Sequence, residues 1–318
     1  MFCWRHSDRT PAHSVIANRT FSDAEFIFTA FSRTGTGCNS NSVYRFSCGR
    51  EFLWKYSSCQ AIKQIYTYTS SYSYERTIMS ENLQQSLVLI KPDALKNSLT
   101  GYVLSYLSEY HTGLQFAGSK IVSVSDMLAG EHYAEHKGKP FFPSLLKYIK
   151  GEIHYADNPK GRRTIAIVYH GMDAVQKIRN IAGPTNPLVA RDTKPGCIRA
   201  LGTLAPIKDV QGAVIGERMD NLIHASANTA DAAREIKLWF KPEDIPPAMR
   251  EYPASTCETH YYYLKGALLQ EHVEGSFCIL APGNVAWKSD LEALELISEG
   301  KESAVTLETV AAKYLINS

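Results

Sequence analysis

The chemistry in this chain gathers around one histidine. Asn221-Leu-Ile-His224-Ala-Ser226 closes a short apolar segment, and Glu235 follows within the next helical stretch. Imidazole has an ordinary pKa of about 6.5, so at neutral pH it is a free-base nucleophile. A carboxylate on its second ring nitrogen would fix the tautomer and stabilise the charge that develops as the first nitrogen attacks. Ser226 can bond locally to the chain just past His224. A lone histidine at a strand end is more often structural than catalytic, but this one has company. Lys91 ends an earlier apolar run, Arg179 follows another, and Thr185, Asn186 and Arg199 fall in the loop before His224. Two arginines, a lysine and a threonine at strand ends make a cradle for polyphosphate.

A second constellation competes. His132-Tyr-Ala-Glu135-His136 fits the pattern H-x-x-E-H, the inverted zinc-protease motif. Two histidines four apart share one face of a helix and would both face a metal. The pattern fixes only three residues and nothing marks a third ligand, so the plainer reading is a solvated helix end. A zinc hydrolase using His132, Glu135 and His136 stands as a remote alternative. No Gly-x4-Gly-Lys-Ser/Thr and no Gly-x-Gly-x-x-Gly occurs, so the P-loop, dinucleotide and protein-kinase signatures are all missing.

The elements that must position these residues follow from periodicity. Ser86–Ile90 is a short apolar run and reads as a buried strand. Residues 99–111 carry Leu99, Val103, Tyr106, Leu107 and Tyr110 at helical spacing, ended by Gly113. A strand is expected over Phe116–Val124, then a helix from Ser125 that carries His132 to His136, and a short helix over Phe142–Ile149. Thr164–His170 is a strand rich in β-branched residues. A helix over Ala174–Ala182, a strand over Leu222–Ala225 and a helix over Thr229–Trp239 follow, the last capped by Asn228 or Thr229. This order suggests a ferredoxin-like βαββαβ sandwich with a four-stranded antiparallel sheet, of the α+β type of α/β protein. Beyond it, Ser289–Ser298 and Ala304–Leu315 read as amphipathic helices of a C-terminal helical extension. They would pack on the domain or a neighbouring subunit, or close a lid with Tyr261 or Tyr262.

Residues 86–240 resemble nucleoside diphosphate kinase. The resemblance rests on Ile90-Lys-Pro-Asp, His132-Tyr to Phe141-Phe142, Arg179 to Pro187, Pro195-Gly-Cys-Ile-Arg199, Asn221-x-x-His224-x-Ser226 and Ala233-Arg-Glu-Ile-x-Leu-Trp-Phe240, in the family's order. It implies the ferredoxin-like fold and transfer of the γ-phosphate of ATP or another nucleoside triphosphate to a nucleoside diphosphate. The carrier would be a phosphohistidine, and Mg2+ would be held mainly by the nucleotide phosphates, with no protein metal ligands. Position by position, the resemblance makes His224 the nucleophile, with Glu235 holding its ring and Ser226 beside it. Lys91 would reach the transferred phosphate and the sugar, and Tyr133 would lie near the histidine and its lysine. Arg179, Thr185 and Arg199 would clamp the phosphates, Asn221 would bond the ribose and Phe141 would stack on the base. Stacking alone would make binding indifferent to the base, since every base has a π-face.

The chain departs from the family in places. The family's His-Gly-Ser-Asp is His224-Ala225-Ser226-Ala227 here. The lost aspartate is expected to weaken bonding around Ser226, and Ala225 is harmless only if its φ is negative. Loss of that aspartate leaves a second alternative, a catalytically weak nucleotide-binding or scaffold relative. Arg199 and Asn221 are 22 positions apart, wider than the family's loop, so residues 204–219 are an insert, and 156–163 are another.

Composition bounds the rest. The chain has 318 residues, 44% hydrophobic and 21% charged, with a net charge of +2. That excludes a wholly disordered or collagen-like chain and gives no sign of a membrane-surface or specific nucleic-acid binder. No run of 18 apolar residues occurs, which excludes a single-pass hydrophobic helix. Residues 1–78 hold nine basic and five acidic residues and four of the seven cysteines. They lack a sustained apolar period and are expected to be disordered; the readings are a transit peptide, a small separate domain with a thin core or, as favoured, a stretch ahead of the true start at Met79. No basic start leads into an apolar core and a cleavage site. Cys197, Cys257 and Cys278 are scattered and read as reduced thiols of a cytoplasmic protein. The expected layout is thus 1–78, a kinase domain over 79–241 and an extension over 242–318, in a homo-oligomer.

Overall fold

The computed structural model describes residues 82–208 and 211–315, and before them the backbone of three strands. The chain falls into two compact units, 1–71 and 72–318. In the first, β1 (Val15–Ile16), β2 (Glu25–Ala30) and β3 (Ser42–Ser47) pair antiparallel in that order. The expectation of no fold before Met79 falls mostly on residues outside those described. The described part is these paired strands, whose EFIFTA and SVYRFS sequences are rich in aromatic and β-branched residues.

In the second unit, β4 (Leu83–Ile90) leads to helices α1 (Pro92–Lys96), α2 (Thr100–Tyr106) and α3 (Glu109–Thr112). The single helix expected over 99–111 breaks at Leu107, where Ser108 turns extended and caps α3 through the His111 amide. β5 (Gln115–Val122), α4 (Asp126–His132), α5 (Phe142–Ile149), β6 (Thr164–Met172) and α6 (Ala174–Ala182) follow. Next come α7 (Pro187–Thr193), β7 (Thr203–Lys208), β8 (Val214–Asp220), β9 (Ile223–Ala225) and α8 (Thr229–Trp239). The sheet order is β5-β6-β4-β9, with every pairing antiparallel, the ferredoxin-like arrangement expected from the element order. Asn228 is the cap of α8, accepting from the Asp231 amide.

Both faces of the sheet are covered, which explains why the centre of β4 is apolar without alternation. Leu87 and Leu89 face a core shared with Leu128, Ala129, Ala232 and Trp239. Val88 and Ile90 face a second core with Val103, Leu107, Ala174 and Ile178. Not foreseen were α7 and the β7–β8 hairpin, into which the expected 204–219 insert folds.

The extension is not helical alone. Five strands precede its helices: β10 (Ala254–Thr256), β11 (Tyr261–Leu264), β12 (Ala267–Leu269), β13 (Phe277–Leu280) and β14 (Val285–Trp287). They pair as β10-β14 and β12-β11-β13. Then come α9 (Lys288–Ser298) and α10 (Leu307–Tyr314). Trp287 and Ala312 enter the core beneath α4 and α8, and the Trp287 indole donates to the Phe240 carbonyl at 2.7 Å. The short strands were illegible because each is three or four residues long, too few for a period to show.

Inside the extension, Lys313 is ion-paired to Asp290, both essentially fully buried, and the Tyr314 hydroxyl donates to the same carboxylate. Burial lowers the Lys313 pKa and Asp290 opposes it. Asp290→Ala would leave an uncompensated buried charge. The expected loss is about 3–5 kcal/mol, read as a fall in the denaturant midpoint, and an unchanged midpoint would refute the buried pair.

Candidate active site

Strand alternation aims His224. Its neighbours Ile223 and Ala225 point into the core with Val88 and Ile90, so His224 faces the opposite side, toward α4 and α8. There α8 presents Glu235, whose Oε2 lies 2.9 Å from His224 Nε2, at hydrogen-bond length without hydrogen-bond alignment. Ser226 Oγ donates to the same Oε2 at 2.6 Å and accepts from the Leu87 amide at 3.1 Å. Burial pushes the Glu235 pKa up, but the charge and contact of His224, the Ser226 hydroxyl and Arg234 outweigh it and hold the net value low. The carboxylate is therefore ionised and favours the proton on Nε2, which leaves the Nδ1 lone pair for attack.

The structure bears on the two departures around this residue. Positive φ among the described non-glycine residues falls at Ser98, Asp173, Leu222 and Lys265, and Ala225 is not among them. The Ser226 hydroxyl bonds to Leu87 and Glu235 without an acid at Ala227.

The backbone ahead of His224 is strained. Leu222, buried, has φ +67, a conformation worth about 1–3 kcal/mol of strain for such a residue. It is held there by the Asp93 carboxylate, which accepts from the Leu222 amide at 2.9 Å, and by the Lys91 amide, which donates to the Leu222 carbonyl at 2.8 Å. The turn presents Asn221, whose Oδ1 accepts from Lys91 Nζ at 2.7 Å and whose Nδ2 donates to the Thr185 carbonyl at 2.8 Å. Burial lowers the Lys91 pKa to about 8 against the attraction of Asp93.

Gly183 ends α6 at φ +81, and a Cβ there would overlap the Cys197 sulfur. Its carbonyl accepts from Arg199 Nη1 at 2.9 Å, and Arg199 Nη2 donates to the Ile223 carbonyl at 3.3 Å. Burial, then repulsion from Arg179, lower the Arg199 pKa to about 10, so it stays charged at neutral pH.

All ten residues expected at the site come together. A cavity of about 400 Å3 is lined by Lys91, Tyr133, Phe141, Arg179, Thr185, Arg199, Asn221, His224 and Glu235, and Ser226 lies behind His224 and Glu235. Phe141 is 42% exposed at its rim, with the His136 ring edge-on to it. Tyr133 is buried, and burial foremost raises its phenol pKa, so it is neutral.

The zinc reading of His132, Glu135 and His136 does not hold. The helix ends at His132, and Ala134–His136 turns as a 3-10 helix, so the two histidines do not share an α-helical face. The group within ligand reach among the described residues is instead His132, His224 and Glu235, whose ligand atoms lie within 4.8 Å of one another. Even this trio suits a metal poorly. The Trp239 indole donates to His132 Nδ1 at 3.2 Å, and an indole only donates. The proton of neutral His132 is thus on Nε2, making that atom a donor and not a ligand. Burial, then the His224 charge, keep His132 neutral. Its ring meets that of His224 edge-on with centroids 4.6 Å apart.

Sequence reasoning missed this packing role of His132, for which the Trp239 of the Leu-Trp-Phe segment was the available partner. It also missed Ile207, Glu217, Arg218 and Met219, from the inserted hairpin, on the cavity wall.

The model of the nucleoside diphosphate kinase family matches residues 84–245. A nucleoside diphosphate kinase of Pyrococcus furiosus is 38% identical over 164 residues, 51% of this chain and 86% of that relative. One of Mycolicibacterium smegmatis is 41% identical over 160 residues, 50% of this chain and 96% of its own. The solved structure of the Aquifex aeolicus nucleoside diphosphate kinase is 28% identical, covers 52% of this chain and 99% of its own, and has a TM-score of 0.41.

Proposed function

The chain belongs to the nucleoside diphosphate kinase family, and from that premise we propose how its residues carry the transfer. The enzyme moves the γ-phosphate of a nucleoside triphosphate to a nucleoside diphosphate. In the first half-reaction, His224 Nδ1 attacks the γ-phosphorus, a nitrogen–phosphorus bond forms, and the bond to the β-bridging oxygen breaks, releasing the diphosphate. In the second, the terminal oxygen of another diphosphate takes the phosphoryl group and frees Nδ1. Glu235 holds the ring and balances the charge that grows on it. The arrangement that carries this reading is the His224–Glu235–Ser226 chain at the floor of a cavity whose wall presents Lys91, Arg179 and Arg199. Charge spread over the transferring oxygens is what such cations stabilise. Phe141 stacks on the base, Asn221 bonds the ribose and Thr185 joins the phosphate clamp.

Mg2+ suits a wall that is mainly cationic and offers, among the described residues, only the His132–His224–Glu235 group in ligand reach, so the nucleotide phosphates would hold it. When bound it neutralises phosphate charge.

We place the kinase domain at 79–241 with 242–318 as packing that shares its core; a cavity lining that stops at Glu235 favours packing over a lid built on Tyr261 or Tyr262. Oligomer formation is supported by β5 at the sheet edge, where Phe116 and Ile121 are 40% and 67% exposed, a surface suited to a second copy. Among the described residues no helix is long and apolar enough to cross a membrane. A cytoplasmic site is supported by the free thiols of Cys197, Cys257 and Cys278.

The kinetic test varies ATP at several fixed concentrations of a second nucleoside diphosphate, with and without Mg2+. A covalent carrier gives parallel double-reciprocal lines that vanish when the metal is chelated. Intersecting lines would reject the two-step transfer.

A further inference from the structure

The inserted hairpin meets the segment just ahead of the other insert beside the cavity. Arg218, on β8 of the inserted hairpin, donates to both oxygens of Asp220, from Nε at 2.6 Å and from Nη2 at 3.0 Å. The Asp220 Oδ2 also lies 2.9 Å from His154 Nε2, in the segment between α5 and β6 near the other insert. All three side chains are 12–16% exposed. The Arg218 guanidinium sits 6.0 Å over the Tyr148 ring, and Lys91 Nζ lies 5.2 Å from the centre of the same ring. Tyr148, Lys91 and Arg218 all line the cavity.

A lone surface ion pair would need no function, since such pairs contribute about 0–1 kcal/mol. This one is placed otherwise. Asp220 takes Nε and one Nη, which fixes the planar fork and leaves the Nη1 edge as the donor for a ligand. A guanidinium fixed in advance loses little rotamer freedom on binding, so more of its contact energy appears as affinity. It stands on the Lys91 side of a site built for phosphate.

We propose that Arg218 is a further nucleotide-binding residue, supplied by the inserted hairpin, that donates to a phosphate oxygen of the bound nucleotide, with Asp220 and His154 as its positioning residues. The proposal rests on the kinase reading for the identity of the ligand. The contact adds a third arginine to Arg179 and Arg199, and it comes from a segment wider than the family's loop.

The test measures ADP and adenosine affinity by competition on the full chain. Arg218→Ala should weaken ADP about 10- to 100-fold, the range of a lost charged hydrogen bond, and leave adenosine and the melting temperature unchanged. Asp220→Asn and His154→Ala should each give a smaller loss of the same kind. If Arg218→Ala does not fold, Arg218→Gln is measured in its place. Unchanged ADP affinity, or equal losses for ADP and adenosine, would overturn the proposal, the second because it marks a packing role for the hairpin. A selective ADP loss supports Arg218 whether or not His224 takes up label from ATP, so failure of the kinase reading is a separate result.

Discussion

Incubated with γ-labelled ATP and no acceptor, the wild-type chain takes up label that is lost in acid and kept in base, and His224→Ala takes up none. The expectation follows from where the ring nitrogens lie. Nε2 faces Glu235, so only Nδ1 is open to the phosphorus, and no other imidazole at the site can substitute. His132 is buried, its Nδ1 accepts from the Trp239 indole and its Nε2 carries the proton. His136 stacks on Tyr133 and meets Phe141 edge-on at the rim. Transfer from ATP to a second diphosphate should fall in His224→Ala to the uncatalysed level, because positioning without a nucleophile leaves no carrier. Label that survives in His224→Ala would end the assignment, and label stable to acid would point to a hydroxyl carrier such as Ser226.

The second large effect is expected from the cations. Lys91→Ala, Arg179→Ala and Arg199→Ala should each slow transfer by a factor of about 10–1000, as for lost stabilisation of charge in the transition state. The structure separates their causes. Arg179 is exposed at the cavity, so its loss should act on nucleotides alone. Arg199 also donates to the Gly183 and Ile223 carbonyls, so its loss should lower stability as well. Lys91 adds a pH signature. With its pKa lowered to about 8 by burial, it is charged below that pH and neutral above. The value of kcat/KM, which reports the free enzyme, should therefore fall as pH rises through about 8. The same fall should be missing in Lys91→Ala. Full activity in all three variants would make these residues mere surface charges, and a fall retained in Lys91→Ala would assign the titration elsewhere.

Much of the fold and site was legible because it depends on local periodicity and on residue chemistry. The helices Phe142–Ile149, Ala174–Ala182 and Thr229–Trp239 stand where their spacing put them. A period of 3.6 or 2 is a property of neighbours in sequence. The candidates for the nucleophile and clamp came likewise from residue types that bind phosphate, with their separate roles implied by the family resemblance. Motif matching failed at His132-x-x-Glu135-His136, which presumed one continuous helix where the chain turns at Tyr133.

What the tertiary structure alone decided is which groups face one another. His132 reaches His224 from 92 positions away, and its neutral tautomer is set by Trp239, from another helix. Lys91 meets Asn221 across 130 positions because β4 and β9 are neighbours in the sheet. His154, just ahead of one insert, and Arg218, on the other, converge on Asp220 at the cavity wall. The sequence by itself determined the longer elements of the sheet and its helices, and the residue types that make a candidate nucleophile and cationic clamp, since these rest on backbone periodicity and side-chain chemistry. Tautomers, shifted pKa values and the partners of each donor depend on burial and on distances of a few ångström between remote segments, which exist only once the chain has packed.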